Sequence, residues 1–296
     1  MAPTEAIAAD IPVALNADLS VNAHETLALA RHVRLGGIGS LVVAGNANLQ
    51  SMSLSQFEAI VELAETAAAA GPVTIGLGPE LGRMLDQAGI VGKSALRSVL
   101  VLPIIAPADT HGTADGIRHI AHRLGHGVMV DLMRDNHLRP VTLRKLVDEG
   151  AVTAVRYRNS VANPGDDYYL ERVLEIMGPA CVVSDAGEGA LYDHLHVRGM
   201  ASTSSGIAAL TPRLLRRIVG LMPTQPDAAA ALMAPVLELM RIRAMLGPVQ
   251  VLHDAVTEAG IAAMGPQMPM VSRVKDKYRL PFTAAIRTLL KAEAAL

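Results

Sequence analysis

The stretch AVTAVRYRNS, Ala151 to Ser160, opens as an apolar, β-branched run and then carries two arginines, Arg156 and Arg158. Arginine offers a planar fork of donors that grips carboxylates at two points. It stays charged in proteins and has no usable amine, so it cannot be the nucleophile of a Schiff base. Lysine can, but the chain has only five: Lys93, Lys145, Lys275, Lys277 and Lys291. Opposite charges close similar apolar runs. GVMVDL carries Asp131, and CVVSDAGE carries Asp185 and Glu188. The run MASTSSG ends in the hydroxyls of Ser202, Thr203, Ser204 and Ser205 and in Gly206. These residue types suit the holding of a small anion, with carboxylates available for proton transfer.

Such groups need elements that bring them together. Eight short apolar runs recur along the chain, spaced to leave room for one helix each: IPVAL (11–15), GSLVVAG (39–45), VTIGLG (73–78), SVLVLPI (98–104), GVMVDL (127–132), AVTAVRYR (151–158), CVVSDAG (181–187) and MASTSS (200–205). Most are continuous rather than alternating, as expected of parallel strands covered on both faces. Between them lie helical patterns. SLSQFEAIVELAETAAAA has Ser53 or Ser55 as a cap and stops at Gly71-Pro72, while TLRKLVDEG and DDYYLERVLEIMG each close on glycine. Eight β-then-α units predict an α/β fold, the (β/α)8 TIM barrel. The rival, an open doubly wound sheet, lacks its fingerprint, because GLGPELG has Leu81 where a third glycine is needed. After TPRLLRRIVGLM the pattern turns to three helices without strands. The expected division is a barrel over 1–222 and a C-terminal three-helix appendage over 223–296, packed on the barrel because its apolar faces need a partner.

The site of such a barrel lies at the C-terminal ends of its strands. Asp131 and Arg156 then sit on adjacent strands, and an ion pair across the mouth is expected. At 4 Å and an effective dielectric near 20 the attraction is about 4 kcal/mol before desolvation is subtracted. The pair either plugs the barrel or holds a ligand carboxylate, and it can do both.

Several segments resemble the dihydrodipicolinate synthase and N-acetylneuraminate lyase family. HVRLGGIGSLVVAGNANLQSMSLSQFEAIVELAE is similar to its second unit, GAVTAVRYRNS to its sixth strand and CVVSDAGE to its seventh. PVQVLHDAVTEAGIAAMGPQMPM is similar to its C-terminal helices. The likeness is closest to a branch with Gly-Asn-Ala-Asn after strand two, here Gly45-Asn46-Ala47-Asn48. The resemblance implies a (β/α)8 barrel, a homodimer or homotetramer, and a pyruvate or other 2-oxo acid substrate taken as a lysine Schiff base. It also implies departures. Arg156 stands at the position of the Schiff-base lysine, and Asp131 at that of the proton-relay tyrosine. Asn46, Ala47 and Asn48 replace the usual Thr-Thr-Gly of the carboxylate-binding loop. Backbone N–H groups there tolerate such a change, although asparagine also serves ordinary turns.

Candidate site residues are therefore Asp131 and Arg156 for the chemistry. Asn46, Ala47, Asn48, Arg158, Asp185, Glu188, Ser204 and Ser205 are candidates for binding a small carboxylate. Asp131, Asp185 and Glu188 put carboxylates near one mouth, but no histidine ends a strand at ligand spacing, so neither metal nor cofactor is expected. His119, His122 and His126 fall on one face of an outer helix, His194 and His196 read as surface or packing residues, and Cys181 as a small core residue.

Composition narrows the classes. Half the residues are apolar, yet there is no Trp and only two Phe, so the core is aliphatic. A net charge of −2 without a basic run points away from nucleic acid. SVLVLPIIAPA, the longest apolar run, is too short to span a bilayer. The N-terminus lacks a basic, then apolar leader, and one cysteine excludes an internal disulfide, so a cytoplasmic protein is expected. Three functions remain open: a lyase or dehydratase of 2-oxo or sugar acids working without the lysine, a non-catalytic carboxylate binder or scaffold, and a metal-assisted aldolase.

Overall fold

The computed structural model describes residues 6–45, 49–103 and 108–296. Eight strands, β1 (Ile7–Ile11), β2 (Ser40–Val43), β3 (Val73–Leu77), β4 (Ser98–Val101), β5 (Val128–Leu132), β6 (Val152–Tyr157), β7 (Val182–Ser184) and β8 (Ser202–Ser205), pair in parallel and in chain order into a closed barrel. Around it lie α1 (Ala23–Leu35), α2 (Leu54–Ala68), α3 (Leu81–Val91), α4 (Thr110–Leu124), α5 (Pro140–Asp148), α6 (Tyr168–Met177) and α7 (Pro212–Leu221). This is the expected (β/α)8 barrel. Ser53 caps α2 in a full capping box with Gln56.

Two units depart from the expectation. The first strand is Ile7–Ile11, not the run 11–15, which forms the loop at the mouth. A barrel strand alternates between interior and helix layer, and IAADI can carry Asp10 inward only because a charge on another strand meets it. The run IPVAL looks more apolar, but its buried residues pack under the C-terminal helices. The seventh unit has no full outer helix. A 3₁₀ turn (Glu188–Ala190) and one π-helical turn (Tyr192–Val197) fill its place.

Three helices follow α7: α8 (Pro226–Leu246), α9 (Pro248–Glu258) and α10 (Arg279–Ala294). They are stitched to the barrel by polar contacts as well as by apolar faces. The Glu293 carboxylate accepts from the N–H groups of Arg213 (3.1 Å) and Leu214 (2.7 Å) at the start of α7, which has no side-chain cap of its own. Leu15 N–H donates to Met264 O at 2.9 Å. Next to it, Gly265 has φ +74°, and a Cβ there would lie 1.8 Å from Leu15 O, so only glycine permits this close approach. The appendage thereby abuts the loop after β1, at the C-terminal end of the barrel. No described helix is long and apolar enough to cross a membrane.

Candidate functional site

Residues alternate along β6, so Arg156 enters the barrel while Tyr157 faces the helices. Tyr157 donates to the Asp167 carboxylate at 2.7 Å, and Asp167 in turn caps α6 through Leu170 N–H. This outer bond fixes β6, and with it the two arginines. Arg156 is 1% exposed and lies among three carboxylates. Its Nη2 donates to Asp131 Oδ2, Nη1 donates to Asp10 Oδ2 at 3.1 Å, and Nε lies 3.5 Å from Asp185 Oδ2. The expected pair between Asp131 and Arg156 is present, on residues directly paired in the β5–β6 register. Arg158, one-third exposed, reaches the same Asp131 oxygen from above, at 3.1 Å.

The electrostatics follow from burial. Desolvation raises the Asp10 carboxyl, and the Arg156 guanidinium pulls it back in part. The same two causes act on Asp185, which burial pushes up to about 7. A fifth of its side chain is still exposed at the mouth, so it can exchange protons with a ligand. Burial works against the charge on Arg156, but Asp131, Asp185 and Asp10 more than offset it and hold the guanidinium above the usual arginine range. Asp131 is fully enclosed, with both arginines on one oxygen. That placement suits holding Arg156 better than shuttling protons.

The other sequence candidates are dispersed. Ser204 lies inside β8, buried, and its Oγ has no hydrogen-bond partner among the described residues. Ser205 turns toward the next loop, donating to Glu188 Oε1 at 2.6 Å and accepting from Ile207 N–H at 3.1 Å. Glu188 leaves the mouth for a groove against α8. Asn46, Ala47 and Asn48 lie outside the described residues. His119 and His122 are exposed on α4, while His126 falls beyond its end. His194 is buried, its Nδ1 2.8 Å from Ser184 Oγ, and His196 is exposed. Cys181 is half-buried just before β7 rather than in the core. All five lysines are exposed.

Three mouth residues escaped the sequence reading. Asp10 was hidden by the misplaced first strand. His137, in the loop after β5, is buried with Nδ1 unpartnered among the described residues. Burial and then Arg134 push its pKa down, so its imidazole is neutral at pH 7. Arg243 comes from α8, where amphipathic reasoning assigns arginine to solvent. Its guanidinium lies over Gly206, where a Cβ would stand 3.1 Å from Nη1, and its charge is felt by Asp10. Oδ1 of Asp10, Oδ1 of Asp131, Nε of Arg156 and Nε of Arg158 are likewise buried without hydrogen-bond partners among the described residues. Such a concentration of unmet donors and acceptors is what a polar ligand would satisfy. Among the described residues no group of three or more His, Cys, Asp or Glu side chains is arranged to hold a metal ion.

No family model matches the chain, and no curated protein is similar to it. Solved structures do match over the whole length. An N-acetylneuraminate lyase from Fusobacterium nucleatum is 16% identical, with a TM-score of 0.80 and 98% of each chain covered. A dihydrodipicolinate synthase from Cyanidioschyzon merolae, solved with lysine bound, is 15% identical, with a TM-score of 0.81 and both chains covered in full. One from Bacillus anthracis is 14% identical, with a TM-score of 0.83 over 97% of this chain and 99% of that one. At such identity the likeness establishes the fold, appendage included.

Proposed function

We propose that this chain, on a barrel shared with N-acetylneuraminate lyases and dihydrodipicolinate synthases, binds a small carboxylate at its mouth and does not form a lysine Schiff base. The ligand class is a 2-oxo acid or a sugar acid. One observation carries the reading: Arg156 occupies the barrel centre, clamped by Asp10 and Asp131, while every lysine is exposed. Arg158 is the anchor, being one-third exposed at the mouth, and Arg243 adds positive charge beside Gly206, just after β8. Asp185, near pKa 7, and neutral His137 are the groups able to move a proton there. In a lyase or dehydratase they would take it from the substrate, while the arginines stabilise charge developing on its oxygen. The burial of Arg156 favours a second reading, a non-catalytic carboxylate binder or scaffold whose mouth is plugged.

The test is intact mass after borohydride reduction with pyruvate, on the natural protein and on Arg156→Lys, beside calorimetry with pyruvate and with a sugar acid. The expected result is no adduct on the natural protein, measurable binding of one of the two acids, and a loss of about tenfold in affinity in Arg158→Ala. An adduct on the natural protein would overturn the proposal. Binding without turnover would select the second reading. An adduct confined to Arg156→Lys would show that the pocket admits a 2-oxo acid and lacks only the amine.

A further inference from the structure

The shortened seventh unit has a consequence on the outer wall of the barrel. Where a full helix would lie, only the turns from Glu188 to Val197 stand, and α8 packs beside them. A groove of about 350 Å³ is left between the two. Its walls are mostly apolar, with Met222, Met233 and Leu237 on one side and Tyr192 on the other. Two of its lining residues are charged, and both are acids: Glu188, which is 4% exposed, and Asp227 at the exposed rim. No Lys, Arg or His is among the described lining residues. Glu188 Oε1 accepts from Ser205 Oγ, but Oε2 is buried with no hydrogen-bond partner among the described residues.

A buried carboxylate oxygen without a donor is costly, and the cost is met when a ligand supplies the donor. The groove is acidic and has an aromatic ring on its wall, so that donor should be a cation, which the ring face also attracts. The lining of Met and Leu side chains asks for a hydrocarbon body beside the charge. We propose that this groove is a second binding site, separate from the barrel mouth, for an organic amine whose ammonium pairs with Glu188 and whose apolar body lies along α8. An anion, a sugar or a second protein chain fits these features less well. The first is repelled by both acids, the second finds few partners on the apolar walls, and the third is out of scale with a groove of about 350 Å³, the size of a small-molecule site.

The experiment compares benzylamine, benzyl alcohol and benzoate as ligands of the full chain, by calorimetry and by saturation-transfer NMR. The three share one apolar body and differ in charge. Benzylamine is expected to bind with a dissociation constant at or below about 1 mM, benzyl alcohol at least about tenfold more weakly, and benzoate at this groove not at all. Glu188→Gln keeps an acceptor for Ser205 and removes the charge, so it should bring the amine down to the level of the alcohol. Ala230→Trp, at an exposed position of the groove wall, should block amine and alcohol alike. Equal binding of amine and alcohol, amine binding unchanged in Glu188→Gln, or no amine binding at that concentration would each overturn the proposal. Amine binding unchanged in Ala230→Trp would move the amine to the mouth carboxylates and overturn it too. The tryptophan variant leaves the Glu188 carboxylate itself unaltered, so the test stands even if Glu188→Gln folds poorly.

Discussion

Arg156 is the residue on which the interior depends. Its net contribution to stability is modest, because desolvating a guanidinium and its carboxylates consumes most of their mutual attraction. Removing one partner is another matter. Arg156→Ala leaves Asp10 and Asp131 charged and enclosed, and should destabilise the fold by about 3–5 kcal/mol at neutral pH, measured by urea unfolding. The gap from the natural protein should narrow toward pH 4, as the stranded Asp10 carboxyl, raised by burial, takes up its proton. Asp185 gives a second residue-scale prediction. Its carboxyl is raised from 3.8 to about 7 by burial, with Arg156 opposing. The folded state thus holds this proton more tightly than the unfolded chain. Asp185 therefore favours folding fully below about pH 4, and that contribution fades as the pH rises to 7. Thermal unfolding across this window should show Asp185→Asn gaining on the natural protein up to pH 7 and running parallel above it. Carboxylate binding at the mouth should tighten as the pH falls through 7, because the charge on Asp185 then stops opposing the ligand.

At the scale of elements, the start of α7 is where barrel and appendage meet. Its first N–H groups have no local acceptor, and Glu293 of α10 supplies both carboxylate oxygens across nearly eighty residues of chain. A cap of this kind contributes about 1–2 kcal/mol, and Glu293→Ala should cost that much in urea unfolding, while Glu293→Gln recovers part of it. This contact was not legible in the sequence, where Glu293 reads as one more polar residue of a terminal helix. Seven of the eight strands were legible, because runs such as SLVV and VTIGL are apolar on both faces. The first was not. Asp10 interrupts it, and its balancing charge, Arg156, lies 146 positions away. The same long reach hid Arg243, since nothing in RIRAML tells that Gly206 leaves space for its guanidinium. By contrast, Asp131 and Arg156 could be paired in advance, because the ends of consecutive barrel strands are neighbours by construction. Glu188 shows the limit of that rule: a residue just past a strand end is free to turn outward with its loop, and here it does.

At the scale of the whole molecule, the barrel and its three C-terminal helices share one core. Leu214, Leu215 and Ile218 of α7, Val236 and Leu239 of α8, and Ile286 and Leu289 of α10 are all buried within it. The polar stitches run the same way, from Glu293 to α7, from Met264 to Leu15, and from Arg243 to the rim above Gly206. Cutting the chain after Met222 would open the apolar face of α7 to water and remove Arg243 from the mouth. An appendage held this closely should not melt as a separate unit. Helix content by circular dichroism and tertiary packing by near-ultraviolet tyrosine signals should therefore report one coincident transition in urea. The fragment 1–222 should be insoluble, or should unfold without cooperativity. If that fragment instead unfolded cooperatively at the midpoint of the full chain, the helices would be an independent layer. Arg243 would then have no structural claim on the mouth, and the carboxylate site would rest on Arg156 and Arg158 alone.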